Sequence, residues 1–499
     1  MVAEVGRRRF VGGAAALSAA VWASRPAVAG RAMGFDEARH LLSRTTFGAT
    51  PAEIDAFVVQ DYVVAVDHLL SDVRREAAMP PPSWLGEGPA DLRRRQQAAA
   101  AERAEAQRKT GVDGKPLRVT RPVEEQGREL RNWWVEEMLV TDQPFTERMV
   151  LFWHGHFTSS FQKVRYAPAL FRQNALFRRH AIGNFATLLA AVARDPAMLI
   201  YLDGMRSVAR QPNENFAREL LELFTLGEGN YSEADVKAAA RAFAGWTIDR
   251  ETGRFKARDG EHDDGEKTFL GQTGRFGGEE IVAILLRQPR TAETIVEKLW
   301  REFVSLRPDP NEIKKLAAAF RKDYEIKPLM RSILLSAALR DPANRGALIK
   351  SPIELIVGTI RLLGLPVPEK TQLVRMMQGL GQIPFDPPNV KGWSGGESWI
   401  TTYTLLLRQQ FLRRIVEATT VATMEGGMMM PGGPNRRADR REQMAEPRPV
   451  EGRSLRNAGD EARLGPTLSG VDSATLLRVL LPRPPIDSID ATGSGGAVV

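Results

Sequence analysis

Apolar residues recur three and four positions apart along most of the chain from Phe35 onward, and no stretch alternates β-branched residues at strand spacing. A periodicity of 3.6 residues buries one stripe of each segment only if the segment is a helix. The chain therefore reads as all-α, with a multi-helix globular domain over residues 30–420, an inserted charged helix and a flexible C-terminal tail. Residues 35–42 and 51–70 show the pattern, and the second opens on Thr50-Pro51, an N-cap followed by Pro at the first helical position. Residues 146–247 hold several helices with short connections, punctuated by Asp195-Pro196 and Gln211-Pro212. Residues 253–275, rich in Gly, Asp and Lys, are the least helical part. The period resumes at 279–286, 291–304 and through 338, at Ser351-Pro352, and over 371–379 and 401–420.

Three segments depart from this scheme. Residues 91–110 are nearly all Arg, Gln, Glu and Ala, a strong helix former without an apolar face, which predicts a solvated rod ahead of a Gly/Pro linker reaching 122. From 425 to 470 Met, Gly, Pro and Arg dominate, a low-complexity linker unable to bury enough apolar surface to offset its ordering entropy. Residues 471–499 add a short amphipathic helix at 472–481 and a loose tail. At the other end, Arg7-Arg8-Arg9-Phe10, an apolar run over 11–23 and Ala27-Val28-Ala29 form a twin-arginine-type signal peptide over 1–29, with Gly6 where Ser or Thr is usual. That leader predicts export of a folded protein, periplasmic or secreted.

The absence of cysteine excludes disulfides, thiolate-held zinc, iron–sulfur clusters and thiol nucleophiles. The longest apolar candidate after the leader, 185–202, is interrupted by Arg194-Asp195-Pro196, so no membrane span is expected once the signal is removed. Net charge is +8, of which the leader carries +3. The remaining excess is modest and scattered along the sequence, which argues against nucleic acid as a partner.

Histidine is scarce, with His40, His68, His154, His156, His180 and His262. His154 and His156 flank Gly155. Imidazole is a common ligand for divalent metals, but residues two apart on a continuous helix point roughly 200° away from each other. They share a metal only if the helix stops at Gly155; the alternative places His154 as a cap on a helix C-terminus. A second constellation runs from Asn213, an N-cap, through an apolar face of Phe216, Leu220, Leu223 and Phe224 flanked by Asn215, Glu219 and Glu222. Two carboxylates one turn apart suit a carboxylate-bridged metal, and equally a solvated flank beside Arg218. A third, Asp259 to Lys267, imitates a calcium loop but fails it: Gly falls one residue late, and Leu270 stands where Glu is required. An acidic Asx-type turn is the plainer reading, with His262 left as a ligand or general base. There is no G-x-S-x-G, Walker loop or H-E-x-x-H. The rigid segment from Phe385 to Trp393, with Trp399 and Tyr403, suits stacking on sugar rings or covering a core.

Taken together, His40-Leu41-Leu42-x-Arg44 with Phe47-Gly48, Phe152-Trp153-His154-x-His156-Phe157, Asn213-Glu214-Asn215 with Arg218-Glu219 and Glu222-Leu223, Tyr231-Ser232-Glu233-x-Asp235, and Gly245-Trp246 resemble the bacterial family called domain of unknown function 1800. His262-Asp263-x-Gly265-x-Lys267, Ser351-Pro352 and Pro387-Pro388-x-Val390-x-Gly392-Trp393 extend the resemblance over about 33–416. It implies a helical, exported protein, often encoded beside another exported family of unknown function that looks sulfatase-like, and no known activity. Two functions follow as expectations. The first is a metal-dependent enzyme, hydrolase or oxidoreductase. Its divalent ion (Zn, Fe or Mn) would be held by His154, His156, Glu219, Glu222 and His262, with Glu222 and His262 as the catalytic groups. The second is a non-catalytic binding or assembly protein for a co-exported partner or a surface polysaccharide.

Overall fold

A computed structural model describes residues 31–71, 73–109 and 121–426. The leader read at 1–29, nearly all of the 425–470 linker and the 472–481 helix lie outside the described residues. Local signals start most of the helices. Thr50 Oγ1 accepts from the Glu53 amide at 3.2 Å while the Glu53 carboxylate accepts from the Thr50 amide at 2.7 Å, a capping box that opens Pro51–Val58. Ser351 and Glu354 repeat the arrangement at the start of helix Pro352–Leu362. Each such cap stabilises its helix by about 1 kcal/mol.

The elements that build the site are helices α1 (Gly34–Thr45), α2 (Pro122–Val140), α3 (Pro144–His156), α4 (Ala167–Arg179), α5 (Glu214–Glu219), α6 (Glu233–Ala242), α7 (Pro289–Phe303) and α8 (Pro352–Leu362). The charged segment forms one helix, Pro89–Lys109, on which Leu92 and Ala99 are buried while most described neighbours face water. Fold class is as read, predominantly α, but two small antiparallel hairpins lie in and just ahead of the least helical stretch. β1 (Trp246–Ile248) pairs with β2 (Phe255–Ala257), and β3 (Lys267–Phe269) with β4 (Gln272–Gly274). Strands of three residues are too short to show alternation in sequence. The second hairpin turns through Leu270 and Gly271 at φ +46° and +77°, two left-handed residues in succession, as a two-residue hairpin turn of matching twist needs.

One contiguous apolar core runs through the body, and α3 passes through it. Twelve of the thirteen α3 residues are buried, all but Gly155, so the helix has no wet face for its polar side chains. Glu147, Arg148, His154 and His156 must therefore find partners inside. Glu147 receives Arg178 of α4 through two hydrogen bonds, Nε at 2.6 Å and Nη2 at 2.8 Å, and Trp134 Nε1 of α2 at 3.0 Å. Arg148 is paired with Glu302 of α7 at 2.9 Å and Glu354 of α8 at 2.7 Å. These two neighbouring residues tie α3 to four other helices. Arg178→Met should destabilise the protein by about 3–5 kcal/mol in urea unfolding, because Glu147 is left buried and unpaired. The double variant Glu147→Leu/Arg178→Met should recover more than half of that loss.

Candidate functional site

Helix α3 does not stop at Gly155. It continues through His156, and the Phe157 amide closes the last turn on the Trp153 carbonyl at 2.7 Å. The two imidazoles consequently leave opposite sides of one helix. His154 enters an aromatic nest, with ring centroids 5.3 Å from Trp134, 5.4 Å from Phe385 and 5.7 Å from Trp393. Burial drives its pKa down to about 3, so the ring is neutral, and its buried Nε2 has no hydrogen-bond partner. His156 lies parallel to Phe152 at 6.2 Å and 6.0 Å from Phe224, and its Nδ1 accepts from Lys298 Nζ of α7 at 3.0 Å. Burial, and then the Lys298 charge, hold it well below the usual imidazole range.

Asn213 caps α5 as read, its side chain accepting from the Asn215 amide at 2.9 Å. After Glu219 the helix widens into a π-turn over Leu220–Thr225, where the Leu226 amide reaches back five residues to the Leu221 carbonyl at 2.8 Å. Such turns recur at functional sites. Glu219 and Glu222 do share one environment: Glu219 is shifted upward by burial and then by the Glu222 charge. Their neighbours, however, are a phenol and an amine. Glu222 accepts from Tyr231 at 3.0 Å and stands 3.7 Å from Lys391 Nζ. Arg218 turns away to Glu233 and Glu214.

His262 lies elsewhere again. Its Nδ1 meets the Ala244 carbonyl at 3.1 Å, and its Nε2 is 3.8 Å from the exposed Asp264. The acidic segment around it forms the Asx-type turn, with Asp263 accepting from the Gly265 amide at 2.9 Å. Asp263 is clamped by Arg241 at 2.7 and 3.0 Å, which holds its pKa down to about 2. The expected convergence of His154, His156, Glu219, Glu222 and His262 is thus not the arrangement found. Among the described residues, no three His, Asp or Glu side chains gather where one metal ion would fit. The physical reason is the unbroken α3, which separates the imidazoles, and the local partners that hold His262 and Glu222.

What the fold does assemble is a cleft of about 840 Å³ between α1, α3, α7, the start of α8 and the 391–399 loop. Seven lysines and arginines line it: Arg39 and Arg44 of α1, Arg148 of α3, Lys298 and Arg301 of α7, then Lys350 and Lys391. Only two carboxylates join them, Glu302 and Glu354, and both are paired with Arg148. Crowding and dehydration show in the cations themselves. Burial lowers the pKa of Arg44 to about 10 and of Lys298 to about 8, and shifts Lys350 downward as well. His40, also on the wall, is brought to about 4 by burial and then by Arg44, and donates Nε2–H to the Leu339 carbonyl at 2.8 Å. Sequence reasoning missed this site because its charges come from five separated segments, each unremarkable alone.

Trp393 and Trp399 complete the wall. The loop that carries them is anchored by Asp386, which accepts from Arg131 of α2, from Ser160 Oγ at 2.9 Å and from the Gln162 amide at 3.0 Å. Gly392, at φ +79°, lies so close to α3 that a Cβ there would come within 2.6 Å of the Gly155 carbonyl oxygen. Gly155 has open space at its own Cβ position and borders the cleft. The loop therefore seats Lys391 and Trp393 against the bare edge of α3.

A family model described as protein of unknown function (DUF1800) matches residues 40–484. No curated protein and no solved structure matches the chain.

The depressed Lys298 gives a stability test with a definite sign. Between about pH 8 and 10.5 the unfolded chain keeps the proton that the folded chain has lost, so this residue's contribution rises with pH across that window. Below pH 8 the buried ammonium is a penalty. The stability of Lys298→Met relative to the parent should be most favourable at pH 7. It should fall by on the order of 1–3 kcal/mol by pH 10.5, as read by urea unfolding at both values.

Proposed function

Since the chain belongs to the family of proteins of unknown function 1800, we propose that its role is to bind an acidic saccharide in the cleft between α1, α3 and α7. The single observation behind this reading is the imbalance in that cleft: seven cations against two carboxylates that already serve Arg148. A concave wall of mostly one sign focuses its field on an anion of the other sign. Guanidinium groups such as Arg301 and Arg44 match the two oxygens of a sugar carboxylate, and Lys391 and Lys298 add point charges. The indoles of Trp393 and Trp399 offer flat apolar faces to a pyranose ring. The leader read at 1–29 supports a location where surface polysaccharides are met.

Tryptophan fluorescence titration with trigalacturonate, set against neutral maltotriose, tests the proposal. Trigalacturonate should bind and maltotriose should not, and rising salt should weaken binding. Arg301→Glu or Lys391→Glu should weaken it by roughly ten- to a hundredfold, as loss of a charged hydrogen bond does. Equal affinity for the two sugars, or indifference to both reversals, would overturn it.

A further inference from the structure

Lys298 is held in this cleft by two neutral partners. Its ammonium donates to the Leu223 carbonyl at 2.7 Å and to the neutral His156 Nδ1 at 3.0 Å, and among the described residues no carboxylate lies within 4 Å of it. A buried lysine with only neutral partners is held as an ammonium weakly. It also lines the cleft in which a ligand would sit. The same cleft is lined by further positive groups, Arg148, Arg301 and Lys391 among them, which attract an anion. Burial alone lowers its pKa from the ordinary lysine value to about 8, leaving an appreciable fraction as free amine near neutrality. Desolvation is one general route to a nucleophilic lysine.

We infer that Lys298 is a nucleophile that forms an imine with the carbonyl carbon of an anionic aldehyde or ketone, such as the open-chain form of an acidic sugar. The free amine adds its lone pair to the carbonyl carbon, and the carbonyl oxygen takes up a proton. The resulting carbinolamine loses water and becomes the C=N bond, with no oxidant or reductant consumed. His156, hydrogen-bonded to the same nitrogen, is placed to accept the proton that leaves Lys298 as the C–N bond forms. The inference rests on the anionic-ligand reading for its choice of substrate, not for the reactivity of the amine.

The test is reductive trapping on the full chain at pH 8, with sodium cyanoborohydride as the hydride donor and peptide mass spectrometry as the readout. Glyoxylate and glycolaldehyde serve as probes, since both are two-carbon aldehydes and only the first carries a charge. Glyoxylate should alkylate Lys298 roughly tenfold or more above any exposed lysine, in keeping with the lowered proton affinity of a buried amine. The labelling should have its pH midpoint near 8, and glyoxylate should exceed glycolaldehyde at this residue. In Lys298→Arg the modified peptide should vanish while helical circular dichroism is kept. His156→Asn should slow labelling without moving it to other lysines. Labelling spread evenly over surface lysines would overturn the inference and leave Lys298 as a cap on the Leu223 carbonyl, whatever trigalacturonate does. Preferential labelling of Lys298 by both aldehydes alike would instead sustain the nucleophile and count against the anionic substrate.

Discussion

The pair of adjacent charges Glu147 and Arg148, buried on a helix without a wet face, governs this structure. Neither can stay ionised in an apolar interior without a counter-ion, and each draws its own from a different direction. Glu147 takes Arg178 and the Trp134 indole, which fixes α3 against α4 and α2. Arg148 takes Glu302 and Glu354, which fixes it against α7 and α8. Ion pairs of this kind add little net stability over apolar packing. Their effect is geometric: the helices that carry Lys298, Arg301 and the neighbourhood of Lys350 are held around one edge of α3.

The sign of the cleft follows from the same pairing. Glu302 and Glu354 are the two acids that border it, and Arg148 pairs with both, so lysines and arginines outnumber acids on the wall. The lowered proton affinity of Lys298 and Arg44 is the thermodynamic trace of their burial in that wall. A fold optimised for stability alone would not gather dehydrated cations in one place, and sites that tolerate such strain are commonly sites of binding or reaction.

Much of the fold is legible in the chain because its determinants are local. Thr50-Pro51, Ser351-Pro352 and Asn213 announce helix starts, and each is one. The Asx-type turn near Asp263 and the closeness of Glu219 to Glu222 are also readable, since each depends on residues a few positions apart. The surroundings of the histidines are not. The loop that packs on His154 reaches α3 through Gly392, 237 positions from Gly155, whose missing side chain lets it close against that turn. The cationic cleft is invisible for the same reason: Arg39, Arg148, Lys298, Lys350 and Lys391 become neighbours only after the helices pack. The hairpins escape notice because strands of three residues carry too little periodicity to register.

The π-turn at Leu220–Thr225 has a genetic corollary. A π-turn is an ordinary helix with one residue too many, so a single-codon deletion there would return a regular helix in which the residues of the turn itself face new directions while those downstream keep their places. Glu222 and the Leu223 carbonyl, the two groups this segment presents to Tyr231, Lys391 and Lys298, would then point elsewhere. In lineages where that codon has been lost, the amine on α7 would have to find a new anchor or disappear with it.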